Sequence, residues 1–423
     1  MAASATARSD ERRAIAIIGV MFFVFGFVTW LNGPLIAFVK LAFTLSDVEA
    51  FLVPMAFYMS YFFLALPSAA ILRRTGMKRG MVIGLLVMAA GAVLFGQLSI
   101  MRVFGGALFG LFVIGAGLAL LQTSANPYIS IVGPIESAAR RIAVMGICNK
   151  LAGILAPIAF GVLVMRGVGD LGAQVAAASD PAAREALLNG FAQKVYWPYL
   201  GMAALLALLA AGVLVSPLPE LSRDEREETA GGFRALLSYR HLWLGVLCLF
   251  LYVGVEVMAG DAIGTYGRGF GLPVEQTTYF TSLTLTGMLL GYVIGLIVVP
   301  RWVSQERYLA VSAAAGLAFV LAAYLTTGYA SVAFVAALGL ANAMMWPAIF
   351  PLTIRGLGRH TETGSALLIM AICGGAIVPQ LFAHLKQHHD FQLVFLALMA
   401  PSYLYILFFA TAGARADARR ATA

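Results

Sequence analysis

SPLPELSRDEREETAGGFRALLSYRH, residues 216–241, is the one long polar stretch in an otherwise apolar chain. Nine of its 26 residues are charged, and Pro217, Pro219, Gly231 and Gly232 interrupt any regular helix through it. Before it lie six apolar runs, near 14–40, 48–72, 80–99, 103–131, 142–165 and 192–215. After it lie six more, near 242–268, 276–299, 307–327, 331–356, 363–386 and 390–412. Runs of ~20 apolar residues cross a hydrocarbon core as helices, whereas barrel strands would alternate polar and apolar residues. The predicted fold is all-α, with twelve transmembrane helices in two six-helix bundles. Residues 1–215 form the first bundle, 216–241 the linker and 242–423 the second.

Composition agrees. Hydrophobic residues make up 61% of the 423 and charged ones only 11%, where a soluble domain carries about 25% charged residues. Twelve crossings put both termini on one side, and the basic residues say which. The N-terminus, the even-numbered connections and the tail hold 20 of the 28 lysines and arginines, including Arg73, Arg74, Lys78, Arg79, Arg140, Arg141, Arg355 and Arg359. The opposite side holds seven: Lys40, Arg102, Arg166, Arg184, Lys194, Arg268 and Lys386. The positive-inside tendency then predicts that both termini are cytoplasmic. The net charge of +8 is therefore a topology signal. Its dispersal over many short segments excludes a nucleic-acid footprint. The first apolar run is too long for a cleavable signal and lacks a small-residue cleavage site. Cys148, Cys248 and Cys373 all fall inside apolar runs, so neither a disulfide framework nor a metal site is expected.

The two halves echo one another. Met145, Ile147 and Cys148 with Pro157 recur as Met370, Ile372 and Cys373 with Pro379. Pro127 and Ile129 recur as Pro347 and Ile349, and Gly26 recurs as Gly254. The offsets are 225, 220 and 228 for Cys148, Pro127 and Gly26, which implies a duplicated six-helix unit in parallel orientation. Such duplication marks secondary transporters, which bind substrate near mid-membrane between the repeats. No nucleotide-binding loop is present, which argues against ATP-driven transport by this chain alone.

Charge inside hydrocarbon is costly, ~2.5–3.5 kcal/mol on insertion scales, so a residue that bears it there is paired, solvated or used. Three charged residues lie well inside the apolar runs: Lys150, Glu256 and Asp261. Lys150 follows Asn149 in MGICNKLAG and lies about eight residues, or ~12 Å, into its helix, deep for snorkelling. Glu256 and Asp261, in LYVGVEVMAGDAIGTY, are five apart and about 140° apart around a helix. Either can take up a proton or coordinate Na⁺; Glu256 is the deeper, and Asp261 is expected near the outer interface. The competing structural reading makes one of them an ion-pair partner or gate for Lys150.

Polar residues mark the rest of a cavity. In the first run, Asn32-Gly33-Pro34 weakens the helix beside Trp30, a candidate face for stacking against a sugar. In the fourth, Gln122, Asn126 and Ser130 are spaced four apart and share one face. In the tenth, Asn342 and Trp346 are four apart ahead of Pro347. An amide and an indole suit a sugar, whose hydroxyls need donors and acceptors and whose C–H face stacks on aromatics. His384 and His388, at the outer end of the eleventh run, lack a third ligand and are read as surface residues.

The short basic connection RRTGMKRG at 73–80 resembles the signature loop of the major facilitator superfamily, without that loop's acidic residue. FGFVTWLNGPL at 25–35, AFYMSYF at 56–62, LLQTSANPYISIVGPIES at 120–137, MGICNKLAG at 145–153 and the stretch 346–379 are similar to bacterial glucose/galactose transporters. Those belong to the fucose:proton symporter family of that superfamily. The resemblance implies import of a monosaccharide by alternating access in a bacterial inner membrane, driven by a cation gradient. Asn32, Gln122, Asn126 and Asn149 would then line the sugar cavity. The fucose symporter pattern has an aspartate directly after the first-helix asparagine and a glutamate directly before the fourth-helix Thr-x-Ala-Asn-Pro stretch. Here Gly33 and Gln122 stand at those positions, and neither carries a proton. Coupling would pass to Glu256 or Asp261, with Na⁺ the favoured ion over H⁺ or no coupling, and glucose or galactose is favoured over fucose. No cofactor is expected beyond the coupling ion; the partners are the sugar, the cation and the bilayer, and the chain is read as a monomer.

Two rival classes bear comparison. A multidrug exporter of the same fold would show an acidic residue in the first half and an apolar, aromatic cavity in place of the amides of the fourth run. A sugar sensor would bring a soluble signalling domain, which this reading does not find. A membrane enzyme would need a nucleophile–base pair or a metal cluster, and neither is evident.

Overall fold

A computed structural model describes residues 2–131, 138–218, 236–299 and 301–416; most of the linker lies outside them. Among the described residues no strand occurs, and twelve helices are long and apolar enough to cross a membrane. They are α1 (Arg13–Ala42), α2 (Asp47–Thr75), α3 (Met77–Ile100), α4 (Phe104–Asn126), α5 (Arg141–Leu163) and α6 (Pro181–Val215). The second six are α7 (Arg240–Gly260), α8 (Val274–Val298), α9 (Gln305–Leu325), α10 (Gly328–Ile354), α11 (Thr363–Leu385) and α12 (Phe391–Arg415).

The breaks follow from local chemistry. α1 is interrupted at Leu31, between helical segments Ala2–Trp30 and Asn32–Ala42. Pro34 has no N–H to offer the Trp30 carbonyl four residues back. α10 is interrupted between Gly328–Asn342 and Met345–Ile354, where Pro347 leaves the Ala343 carbonyl in the same position. α7 stops at Gly260 without a proline, and a short helix Ile263–Arg268 resumes beyond Asp261 and Ala262. The carbonyls freed there are taken by α8: Thr281 Oγ1 donates to Gly260 O and Thr284 Oγ1 to Ala259 O, each at 2.7 Å. Helix also occupies Val168–Ala177, ahead of α6, and Pro181–Gln193, the first segment of α6 itself. Asp180 caps the second of these, accepting from the Ala182 and Ala183 N–H groups at 3.1 and 3.3 Å, with Pro181 in the first turn.

Packing repeats between the halves. α1 lies on α5, α2 on α4, and α3 on α4 and α6; likewise α7 lies on α11, α8 on α10, and α9 on α10 and α12. Glycine lies at both of the equivalent crossings α1–α5 and α7–α11, on α1 in the first half and on α11 in the second. A Cβ on Gly26 would fall 2.0 Å from the Asn149 carbonyl oxygen, and one on Gly374 would fall 1.9 Å from that of Phe250. Only glycine lets those backbones approach so closely.

Between halves, α5 packs on α8, α2 on α11, and the far ends of α1 and α7 on each other. On the face opposite the termini, Asp47 accepts from Lys40 at 2.5 Å and from Lys386 of α11. Beside that pair, Gln380 donates to the Val48 carbonyl at 3.1 Å, and the Phe51 and Phe382 rings meet edge to face at 6.3 Å. The molecule is shut on this face.

Candidate functional site

The intramembrane charges converge on the seam between the halves. Lys150 reaches from α5 across to α7, its Nζ 3.0 Å from Glu256 Oε1, with side chains only 8% and 14% exposed. The same Nζ stands 4.6 Å over the ring of Trp30 on α1. The ion-pair reading of these residues therefore describes this conformation. Trp30 is 3% exposed and is wedged where a Cβ on Gly153 or Gly260 would come within 2.5 Å of its ring. With Lys150 above it, the indole has no free face for a sugar here.

Asp261 lies at the break in α7 and is 1% exposed, not at an open outer interface as its sequence position suggested. The reason is packing: α1 and α8 close over it. Its Oδ2 accepts from the Tyr58 hydroxyl at 3.4 Å, while Oδ1 makes no hydrogen bond among the described residues. A Cβ on Gly33 would lie 3.3 Å from Oδ1 and 2.5 Å from Thr281 Oγ1, so the glycine makes room for both. Gly33, where the resembling pattern has its aspartate, thus faces this carboxylate directly.

Tyr58 stacks with Tyr61 one turn on, with centroids 6.5 Å apart and 26° between planes. The Tyr61 hydroxyl accepts from Gln122 Nε2 at 3.0 Å. A polar thread thus runs from Asp261 on α7 through the two tyrosines of α2 to Gln122 on α4. Gln122 and Asn126 are both half-buried; the Ser130 side chain lies outside the described residues.

The other amides divide. Asn149 is half-buried, and its Nδ2 donates to the Phe22 carbonyl of α1 at 3.5 Å. Asn32 is 1% exposed and its Nδ2 has no partner among the described residues. Asn342 is fully buried, and its Oδ1 accepts from Tyr403 of α12 at 2.9 Å. A break at Ala343–Met344 lies between it and Trp346. Trp346 is half-buried and stacks on Phe350, with centroids 5.9 Å apart and 27° between planes. His384 and His388 are exposed. Among the described residues no group of three or more His, Cys, Asp or Glu side chains could hold a metal ion.

Sequence reasoning missed Tyr58, Tyr61 and Thr281. The signal for the tyrosines was present in AFYMSYF, two phenols three apart in an apolar run, which place both hydroxyls along one face. Thr281 gave no comparable signal.

The sequence of this repeated six-helix unit matches the family model of the Major Facilitator Superfamily over residues 18–379. The chain belongs to the Major Facilitator Superfamily. It is thus a multi-pass membrane protein of a family of transporters, not an enzyme. This superfamily member is 33% identical over 405 residues to the glucose/galactose transporter of Brucella abortus, covering 95% of this chain and 94% of that one. It is 30% identical over 378 residues to the L-fucose-proton symporter of Escherichia coli, covering 86% and 84%. Among solved structures it resembles the superfamily transporter FucP in its outward conformation, with a TM-score of 0.74 and 25% identity over 94% of this chain and 97% of that one.

Proposed function

We propose that this superfamily member imports a glucose- or galactose-type hexose by alternating access, in symport with a cation. Three ionisable side chains meet at the seam between the halves, and that observation carries the reading. A group that couples two gradients must feel the closing and opening of that seam. The half-buried Gln122 and Asn126 and the stacked Trp346–Phe350 pair offer the amides and aromatic face a sugar needs. The names of the relatives favour the same substrate class.

The excess of lysine and arginine on the terminal side supports cytoplasmic termini in a bacterial inner membrane. The conformation described, shut on the opposite face, is then closed toward the outside. Na⁺ is less well suited to the seam than the sequence suggested. Hard cations take a shell of several oxygens, and among the described residues no group of three or more His, Cys, Asp or Glu side chains could hold a metal ion. A proton fits better.

Counterflow tests the substrate. Proteoliposomes loaded with unlabelled glucose should take up labelled glucose, and galactose should compete better than fucose. Absence of exchange with every hexose would sink the reading.

A further inference from the structure

The intramembrane charges do not balance. Lys150, Glu256 and Asp261 sum to one negative charge. Lys150 and Glu256 cancel each other at 3.0 Å, which leaves Asp261 uncompensated and 1% exposed. A buried carboxylate keeps its charge only with good partners. Asp261 has one side-chain hydrogen bond, the 3.4 Å contact from Tyr58, and beside it only the Gly33 backbone N–H; Oδ1 has no side-chain partner among the described residues. The titratable groups facing it are Tyr58 from α2, Glu256 on its own helix and, farther off, Lys150 from α5. α1 presents Asn32 and Gly33 and α8 presents Thr281, none of which titrates.

We propose that Asp261 is the proton-carrying group of this transporter and that one proton crosses with each sugar. The inference rests on the symport reading above. Tyr58 belongs to the first half and Asp261 to the second, so opening the seam on the face opposite the termini gives the carboxylate to water. There it takes a proton. With its charge gone, α1, α2 and α8 close over it. Release of that proton to the terminal side leaves a bare charge inside a closed seam, which drives the halves back. Protonation thus distinguishes the two conformations energetically, as coupling requires. Glu256, neutralised by Lys150, holds the halves together and is not the carrier.

Infrared pH titration of the purified full-length protein reads the proton without any sugar. A carboxylic-acid C=O band should persist at neutral pH, vanish in Asp261→Asn and return displaced in Asp261→Glu. A band that survives Asp261→Asn, or no acid band in the wild type, overturns the assignment. In proteoliposomes the wild type should move protons and sugar in a ratio near one, and a ratio of two or Na⁺-driven accumulation would refute the proposal. Asp261→Asn should retain sugar exchange but lose accumulation; accumulation by that variant would refute it as well. If the wild type exchanges no hexose, the substrate reading fails while the infrared result still decides where the proton sits.

Discussion

Replacing Lys150 with methionine keeps the length of the side chain and removes its charge, leaving Glu256 in a seam where it is only 14% exposed. Breaking a buried pair by removing one partner costs ~3–5 kcal/mol, because the surviving charge is left uncompensated. Losing the ammonium over the Trp30 ring removes a further contact of about 1 kcal/mol. Only the ion pair joins α5 to α7, so its ~3–5 kcal/mol falls on the conformation in which the seam is shut, while the Trp30 contact lies within the first half. Once the seam opens, water solvates the carboxylate and the penalty disappears. The equilibrium should therefore move toward opening on the face opposite the termini by roughly two to three orders of magnitude, at about 1.4 kcal/mol per tenfold. Pulsed electron–electron resonance reads this directly from spin labels at Met101 and Gln387, both exposed on that face in opposite halves, with the three native cysteines replaced. The long-distance population should grow in Lys150→Met and fall back in part when Glu256→Gln is added, since the widowed charge is then gone. An unchanged distance distribution in Lys150→Met, or a double variant more open than the single one, would refute the reasoning.

Gly26→Ala should lower stability by ~1–3 kcal/mol, because its Cβ would meet the Asn149 carbonyl backbone, which has no room to move. Gly201→Ala, with no atom within 4 Å of the added carbon, should leave the melting temperature where it was. Asp47→Asn removes the charge that joins α2 to Lys386 of α11 and should raise the rate at which an impermeant thiol reagent reaches a cysteine placed at Phe51; no change would mean that the pair does not latch this face. Gln122→Ala removes the donor to Tyr61 and should raise the KM for sugar about tenfold, the equivalent of one hydrogen bond of ~1–1.5 kcal/mol, with kcat less affected. Trp346→Ala should weaken sugar binding several-fold while leaving proton uptake at Asp261 intact, measured by equilibrium binding and by the infrared band.

Much of the architecture was legible because hydrocarbon imposes a length and a purity of composition that few soluble sequences meet. The twelve apolar runs, the break that Pro34 imposes on α1 and the repeat pairing Gly26 with Gly254 all follow from local rules. The site was less legible, because its contacts join residues far apart in the chain. Lys150 and Glu256 are 106 residues apart and Tyr58 and Asp261 are 203 apart, and no periodicity announces such partners. Position along a helix also misled: Asp261 lies near the end of α7, yet the closure of α1 and α8 buries it. Asn342 and Trp346 were assigned one face on the assumption of an unbroken helix, and the structure interrupts that helix between them. The helix Pro181–Gln193 carried its signature in Asp180-Pro181, an N-cap followed by proline, and was overlooked because its exposed face lacks an apolar run.

Labelled glucose uptake into proteoliposomes tests the central claim most directly, with an inward proton gradient, an inward Na⁺ gradient and neither compared side by side. Accumulation above equilibrium with the proton gradient alone, abolished by a protonophore, is the predicted result. Equilibration without accumulation under every gradient would contradict it and make this superfamily member a uniporter.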